Sequence, residues 1–155
     1  MNSFVTFYKS NLGILKITVS DSGLKYIEFD KESSIEENAN HPLLERTINQ
    51  LDDYFNGSQK YFDIPLDIQG SEFQKRVWIE VSKIEFGRTA TYLEIAKNIG
   101  DKNAVRAVGL ANGKNPIPIV IPCHRIIGSN GKLIGYGGGL WRKEWFLRHE
   151  GSILI

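Results

Sequence analysis

The chain has 155 residues, 41% hydrophobic and 24% charged, with a net charge of +1. That suits one domain or two small ones with a real core, and no stretch approaches the roughly 20 apolar residues of a membrane helix. One cysteine excludes an internal disulfide and a thiolate zinc site, and three scattered histidines show no ligand spacing, so no metal or cofactor is expected.

The first thirty residues read as strands. "FVTFYKS", "ILKITVS" and "LKYIEFD" are separated by the turn signals "NLG" and "DSG". Leu15, Ile17 and Val19 alternate with Lys16 and Thr18, which buries one face. The polar stretch "KESSIEENAN" reads as a loose loop. "PLLERTINQLDDYFNG" opens on Pro42 and closes on Gly57, with Leu44, Ile48, Leu51 and Phe55 on one helical face. "KYFDIPLDIQG" reads as an extended linker, which puts a boundary near Asp67 to Gly70 and two domains at 1–68 and 69–155.

Charge changes sign at that boundary. Residues 1–70 hold 6 basic and 11 acidic side chains, and residues 71–155 hold 13 and 7. A basic second half suits a polyanion, although uneven surface composition alone could give the same split. "SEFQKRVWIEVSKI" predicts a helix with Ser71 as its cap and Phe73, Val77, Val81 and Ile84 along one stripe. A short helix from about Tyr92 stops at Gly100. Another spans about Ala104 to Asn112 and ends at Gly113 and Pro116. The pair is a helix-turn-helix candidate. Its second helix is nearly bare, with Ala104, Ala107, Gly109 and Ala111 around Arg106. Such a surface admits either a tightly packed neighbour or a nucleic-acid groove.

"NPIPIVIPCHRIIG" carries three prolines in an apolar β-branched run, and predicts an extended, rigid, buried segment. A lone buried cysteine is usually a small hydrophobe. Here Pro122, His124 and Arg125 crowd Cys123, and a nearby base or cation makes a thiol a nucleophile. Neighbouring side chains on an extended chain point apart, so a bridging water is expected between Cys123 and His124. A carboxylate behind the imidazole completes a triad-like relay, and Glu144 and Glu150 both qualify.

"IPCHR", followed by "GYGGGL" and "RKEWFLRHEG", resembles the O6-alkylguanine-DNA alkyltransferase family, in its bacterial-type single-chain form. "TYLEIA", "AVRAVG" and "ANGKNPIPIVIPCHR" extend the resemblance over residues 71–151, and the first seventy match in outline only. The resemblance implies an α+β fold. A small antiparallel, ribonuclease-H-like sheet domain with a helix precedes a mainly helical domain with a winged helix-turn-helix-like element. It implies Cys123 as alkyl acceptor, His124 as its activator through a water, Glu150 behind His124, and Asn115 supporting the turn. It implies Tyr92 hydrogen-bonding a flipped guanine and Arg106 filling the gap in the stack. Further DNA or base contacts are implied at Ala107, Ile126 and Ser129, and at Tyr136 with Gly137 and Gly138 in the pocket loop. Some relatives carry serine where Gly137 stands. The implied partner is double-stranded DNA containing O6-alkylguanine, met by a cytoplasmic monomer without metal, membrane or extra metal-dependent domain. Acceptance of O4-alkylthymine stays open.

The chemistry accounts for a single thiol. A base must leave the stack before its substituent is reached. Attack on an sp3 carbon leaves a thioether, which offers no carbonyl to water, so the protein is consumed. A cysteine hydrolase or redox enzyme is the rival, as is a lesion-binding module without catalysis. The first leaves the bare helix unexplained, and the second needs no Cys123.

Overall fold

The structure is a computed structural model that describes residues 2–30 and 39–153. Most of the loop read at 31–40 lies outside the described residues. Two compact units divide the chain, Met1–Gln69 and Gly70–Ile155.

In the first unit, β1 (Ser3–Ser10), β2 (Gly13–Ser20) and β3 (Gly23–Asp30) form an antiparallel sheet in sequence order. Ser10 pairs Gly13 and Ser20 pairs Gly23 across two-residue connections, the loop length that favours tight hairpins. Leu15, Ile17 and Val19 are fully buried, as the alternation predicts. Helix α1 (Pro42–Phe55) packs on all three strands. His41 caps it, accepting from the Leu43 amide through Nδ1 at 3.1 Å. The buried seam is Leu44, Thr47, Leu51 and Tyr54, with Ile48 and Phe55 half-buried. The seam drifts from the expected one because Thr47 can enter the core, its hydroxyl donating to the Leu43 carbonyl at 2.7 Å.

The segment read as an extended linker docks on β3. The Leu24 amide donates to Pro65 and the Asp67 amide to Leu24, both at 2.8 Å. Gly23 permits this approach, since a Cβ there would lie 2.6 Å from the Pro65 carbonyl oxygen.

The second unit begins with α2 (Glu72–Ser82), closed at its start by a capping box between Ser71 and Gln74. Such caps contribute about 1 kcal/mol. Val77, Trp78 and Val81 are buried, and Phe73 only partly. Strand β4 (Ala90–Thr91) leads into α3 (Tyr92–Asn98), whose first turn is capped by Thr91. Gly100, at φ 90°, turns the chain, and α4 (Val105–Gly113) follows. Gly113 remains in the helix, which closes at Lys114 instead. The Trp78 indole donates to the Ala111 carbonyl at 2.9 Å and fastens α2 to α4.

The proline-rich segment is not simply extended. Ile119 takes a positive φ of 78°, the Ile121 amide returns to the Ile117 carbonyl at 2.9 Å, and Cys123–Arg125 form a 3-10 turn. Proline forbids long helix but not one tight turn, and Asn115 stitches this one. Its Oδ1 accepts from the Ile117 amide at 2.9 Å, and its Nδ2 donates to the Ile121 carbonyl at 2.7 Å. Strand β5 (Ile126–Ile127) then pairs in parallel with β4. Helix α5 (Leu140–His149) ends the described fold, with Glu150 at its C-cap.

Candidate active site

Cys123 opens the 3-10 turn and is only 6% exposed. Burial pushes its thiol up to about 11, against the opposing pull of Asn115, the Lys143 charge and the local backbone amides. At rest it is a protonated thiol that needs a base.

An imidazole lies next in sequence. His124 is fully buried and stacks on Phe146 with ring centroids 4.7 Å apart. Its Nε2 lies 2.7 Å from Glu150 Oε2. Burial disfavours the Glu150 carboxylate, but His124 and Arg125 overcome this and bring its pKa down to about 2. An ionised carboxylate only accepts, so the proton is on Nε2 and Nδ1 keeps its lone pair. Desolvation lowers the pKa of His124 despite Glu150, which keeps the ring neutral. Nδ1 has no hydrogen-bond partner among the described residues.

Arg125 completes the cluster. Its Nε donates to Glu150 Oε1 at 2.7 Å, its Nη2 to Oε2 at 3.1 Å and its Nη1 to the Ile84 carbonyl at 2.6 Å. One carboxylate thus receives three hydrogen bonds from two neighbouring residues of one turn. That is possible because a 3-10 turn swings His124 and Arg125 toward the end of α5 together. An extended chain would have split them. Glu144, the other carboxylate, pairs with Arg148 on the surface and takes no part.

Tyr92 starts α3. A Cβ on Gly109 of α4 would come within 3.8 Å of its ring, and one on Gly135 within 3.7 Å of its hydroxyl. That hydroxyl donates to the Ile134 carbonyl at 3.1 Å. Asn112, buried on α4, donates weakly to the Cys123 carbonyl at 3.4 Å. The Tyr136 hydroxyl is buried, and desolvation together with the facing Cys123 raises its pKa. Tyr92, Asn112, Asn115 and Tyr136 therefore converge on Cys123 from α3, α4 and the loops beside it. Arg106 and Ala107 lie exposed on one side of α4. Gly137 is exposed, Gly138 half-buried and Ser129 exposed in a turn. Ile126 is wholly buried in β5. No cluster of three or more His, Cys, Asp or Glu able to hold a metal exists among the described residues.

Residues 72–152 match the family described as 6-O-methylguanine DNA methyltransferase, DNA binding domain, and residues 4–68 match its ribonuclease-like domain. The chain belongs to this methyltransferase family. It is 45% identical to the methylated-DNA–protein-cysteine methyltransferase of Methanosarcina acetivorans, over 96% of this chain and 99% of that one. The crystal structure of the Mycobacterium tuberculosis O6-methylguanine methyltransferase superposes with a TM-score of 0.87 at 40% identity, covering 97% of this chain and 94% of that one. The same organism's OGT in complex with DNA matches at 0.86 and 42%, covering 94% and 91%. The α+β architecture of this methyltransferase-family chain, with a three-stranded sheet before a helical domain, agrees with those structures.

Three polar residues of the site are not marked as such by the sequence. Arg125 stands beside Cys123 with no partner given by spacing, and Asn112 reads only as a helix end. Lys143 is the third, although Lys143, Phe146, Leu147 and Glu150 share one buried helical face. A lysine at an apolar position of that stripe was the available signal.

Proposed function

We propose that the protein repairs O6-alkylguanine in double-stranded DNA by moving the alkyl group onto Cys123, once per molecule. The observation that carries this reading is the bond from His124 Nε2 to a Glu150 carboxylate at 2.7 Å, which leaves Nδ1 as a neutral base on the residue that follows the chain's single cysteine.

The Cys123 proton passes through a bridging water to His124 Nδ1, and Glu150 balances the imidazolium that forms. The sulfur lone pair attacks the alkyl carbon. The S–C bond forms as the C–O6 bond breaks, and that electron pair leaves with the guanine, which regains a proton. Asn115 holds the turn that presents the sulfur. Tyr92 hydrogen-bonds the flipped base, and Tyr136 with Gly137 and Gly138 walls the pocket. Arg106 fills the vacated stack, with the exposed Ala107 and Ser129 as further DNA contacts, whereas Ile126, wholly buried in β5, is closed to DNA. The thiol must stay reduced, which suits the cytoplasm.

The test is transfer of labelled methyl from an O6-methylguanine duplex. Label should appear on wild-type protein and be absent from Cys123→Ala, which still binds the damaged duplex. Label on the alanine variant would refute the assignment. An O4-methylthymine duplex run in parallel defines the second substrate.

A further inference from the structure

Lysine is almost never fully buried without a paired charge. Lys143 is fully buried on α5. Its Nζ donates to the Ile134 carbonyl at 2.8 Å and the Gly135 carbonyl at 3.5 Å, and no carboxylate pairs with it among the described residues. Both carbonyls belong to the loop that leads into Tyr136. The Ile134 carbonyl also accepts from Tyr92, so one oxygen ties that loop to α3 and α5 together.

The surrounding charges single Lys143 out. Arg125 and Glu150 cancel each other, and His124 is neutral. Asn112 and Asn115 carry no charge, and Tyr92 and Tyr136 hold their protons. Arg142 turns to the Gly138 carbonyl and the Trp141 ring. Lys143 is therefore the cation whose charge acts on Cys123, while that of Arg142 acts on Tyr136. Burial depresses the ammonium to about 8, and Cys123 is the group that counters this. Lys143 in turn lowers the Cys123 thiol.

We propose that Lys143 is a positioning residue for the transfer: its ammonium anchors the Ile134–Gly135 carbonyls and balances the charge of the Cys123 thiolate as that anion forms. The proposal rests on Cys123 being the acceptor. It predicts a second source of thiolate stabilisation, independent of the His124 relay.

The test separates charge from anchoring in the full chain. Lys143→Gln keeps a donor for the carbonyls but removes the charge, and Lys143→Arg keeps the charge. The rate of Cys123 alkylation by iodoacetamide is followed for each below about pH 8, where Lys143 carries its charge. An opposite charge close by shifts a pKa by about 1–3 units, so Lys143→Gln should hold roughly tenfold less thiolate at neutral pH and alkylate roughly tenfold more slowly. Lys143→Arg should stay near wild type. An unchanged rate in Lys143→Gln, or an equal loss in both variants, overturns the proposal. A readout on wild-type protein covers variants that fail to fold. Anionic iodoacetate relative to neutral iodoacetamide should react faster at Cys123 than at glutathione, and an equal or lower ratio overturns the proposal. These assays contain no DNA. A wild-type protein that alkylates normally but takes no methyl group from DNA would instead refute the acceptor function.

Discussion

Glu150 Oε2 and His124 Nε2 lie 2.7 Å apart, and both side chains are closed to solvent. The same carboxylate accepts from Arg125, so one acidic group orients the base and neutralises a buried cation. Removing it should do two kinds of damage.

Glu150→Gln is expected to leave Arg125 buried without its counter-charge, a loss of about 3–5 kcal/mol for breaking such a pair. The amide also frees His124 to take either tautomer, so transfer from benzylguanine should slow even in molecules that remain folded. Urea denaturation and single-turnover kinetics check the two effects separately. A variant as stable as wild type would show that the pair contributes nothing.

Acid should destabilise the fold in two windows. His124 has a folded pKa below its ordinary 6.5, so the unfolded chain takes up a proton first, and stability falls as pH drops through that range. Glu150 has a folded pKa of about 2 against an ordinary 4.5, so its contribution is complete above 4.5 and is lost as pH falls from there toward 2. Tm followed from pH 7 to 3 should decline throughout; Glu150→Gln should flatten the lower window and, because Glu150 no longer holds the His124 pKa up, deepen the upper one. A Tm that rises on acidification would contradict both shifts.

Much of this site is legible in the sequence for a chemical reason. Residue types with few uses, such as one cysteine among prolines beside a histidine, point to nucleophilic chemistry before any fold is known. The alternation of Leu15, Ile17 and Val19 exposes β2 in the same way. Path is harder to read than composition. Three prolines predict an extended run, but Asn115 and the positive φ of Ile119 fold residues 117–121 into a turn, and the 3-10 turn Cys123–Arg125 after it aims His124 and Arg125 together. Thr47 and Lys143 were hidden because each is polar by type and buried through contacts made by its polar end. Such contacts depend on where a carbonyl lies, which no local pattern reports.

Arg106→Ala should slow repair of duplex DNA more than reaction with free benzylguanine. Holding a base out of the stack costs a few kcal/mol, and a side chain in the gap offsets part of it, so the duplex rate should fall by about tenfold or more. The free base incurs no such cost. Equal losses on both substrates would move Arg106 from base extrusion to folding.

Binding to undamaged duplex should be weak, tolerant of sequence and sensitive to salt. Arg106 is the long side chain among Ala107 and the small residues near it on α4, which leaves few groups to read base edges. Each phosphate contact should contribute about −0.9 to the log–log salt slope. Isotherms on two unrelated duplexes at several salt concentrations measure this. Strong preference for one of them would favour a sequence-specific DNA-binding module over a repair protein that must scan any sequence.

Stoichiometry is the most direct measure of a thiol used once. Limiting protein is mixed with excess O6-methylguanine duplex, methyl transfer is followed to completion, and the modified peptide is located by mass spectrometry. The prediction is a plateau at one methyl group per chain, held as a thioether on Cys123. Several methyl groups removed per chain, or a plateau with the methyl group on any other residue, would contradict it.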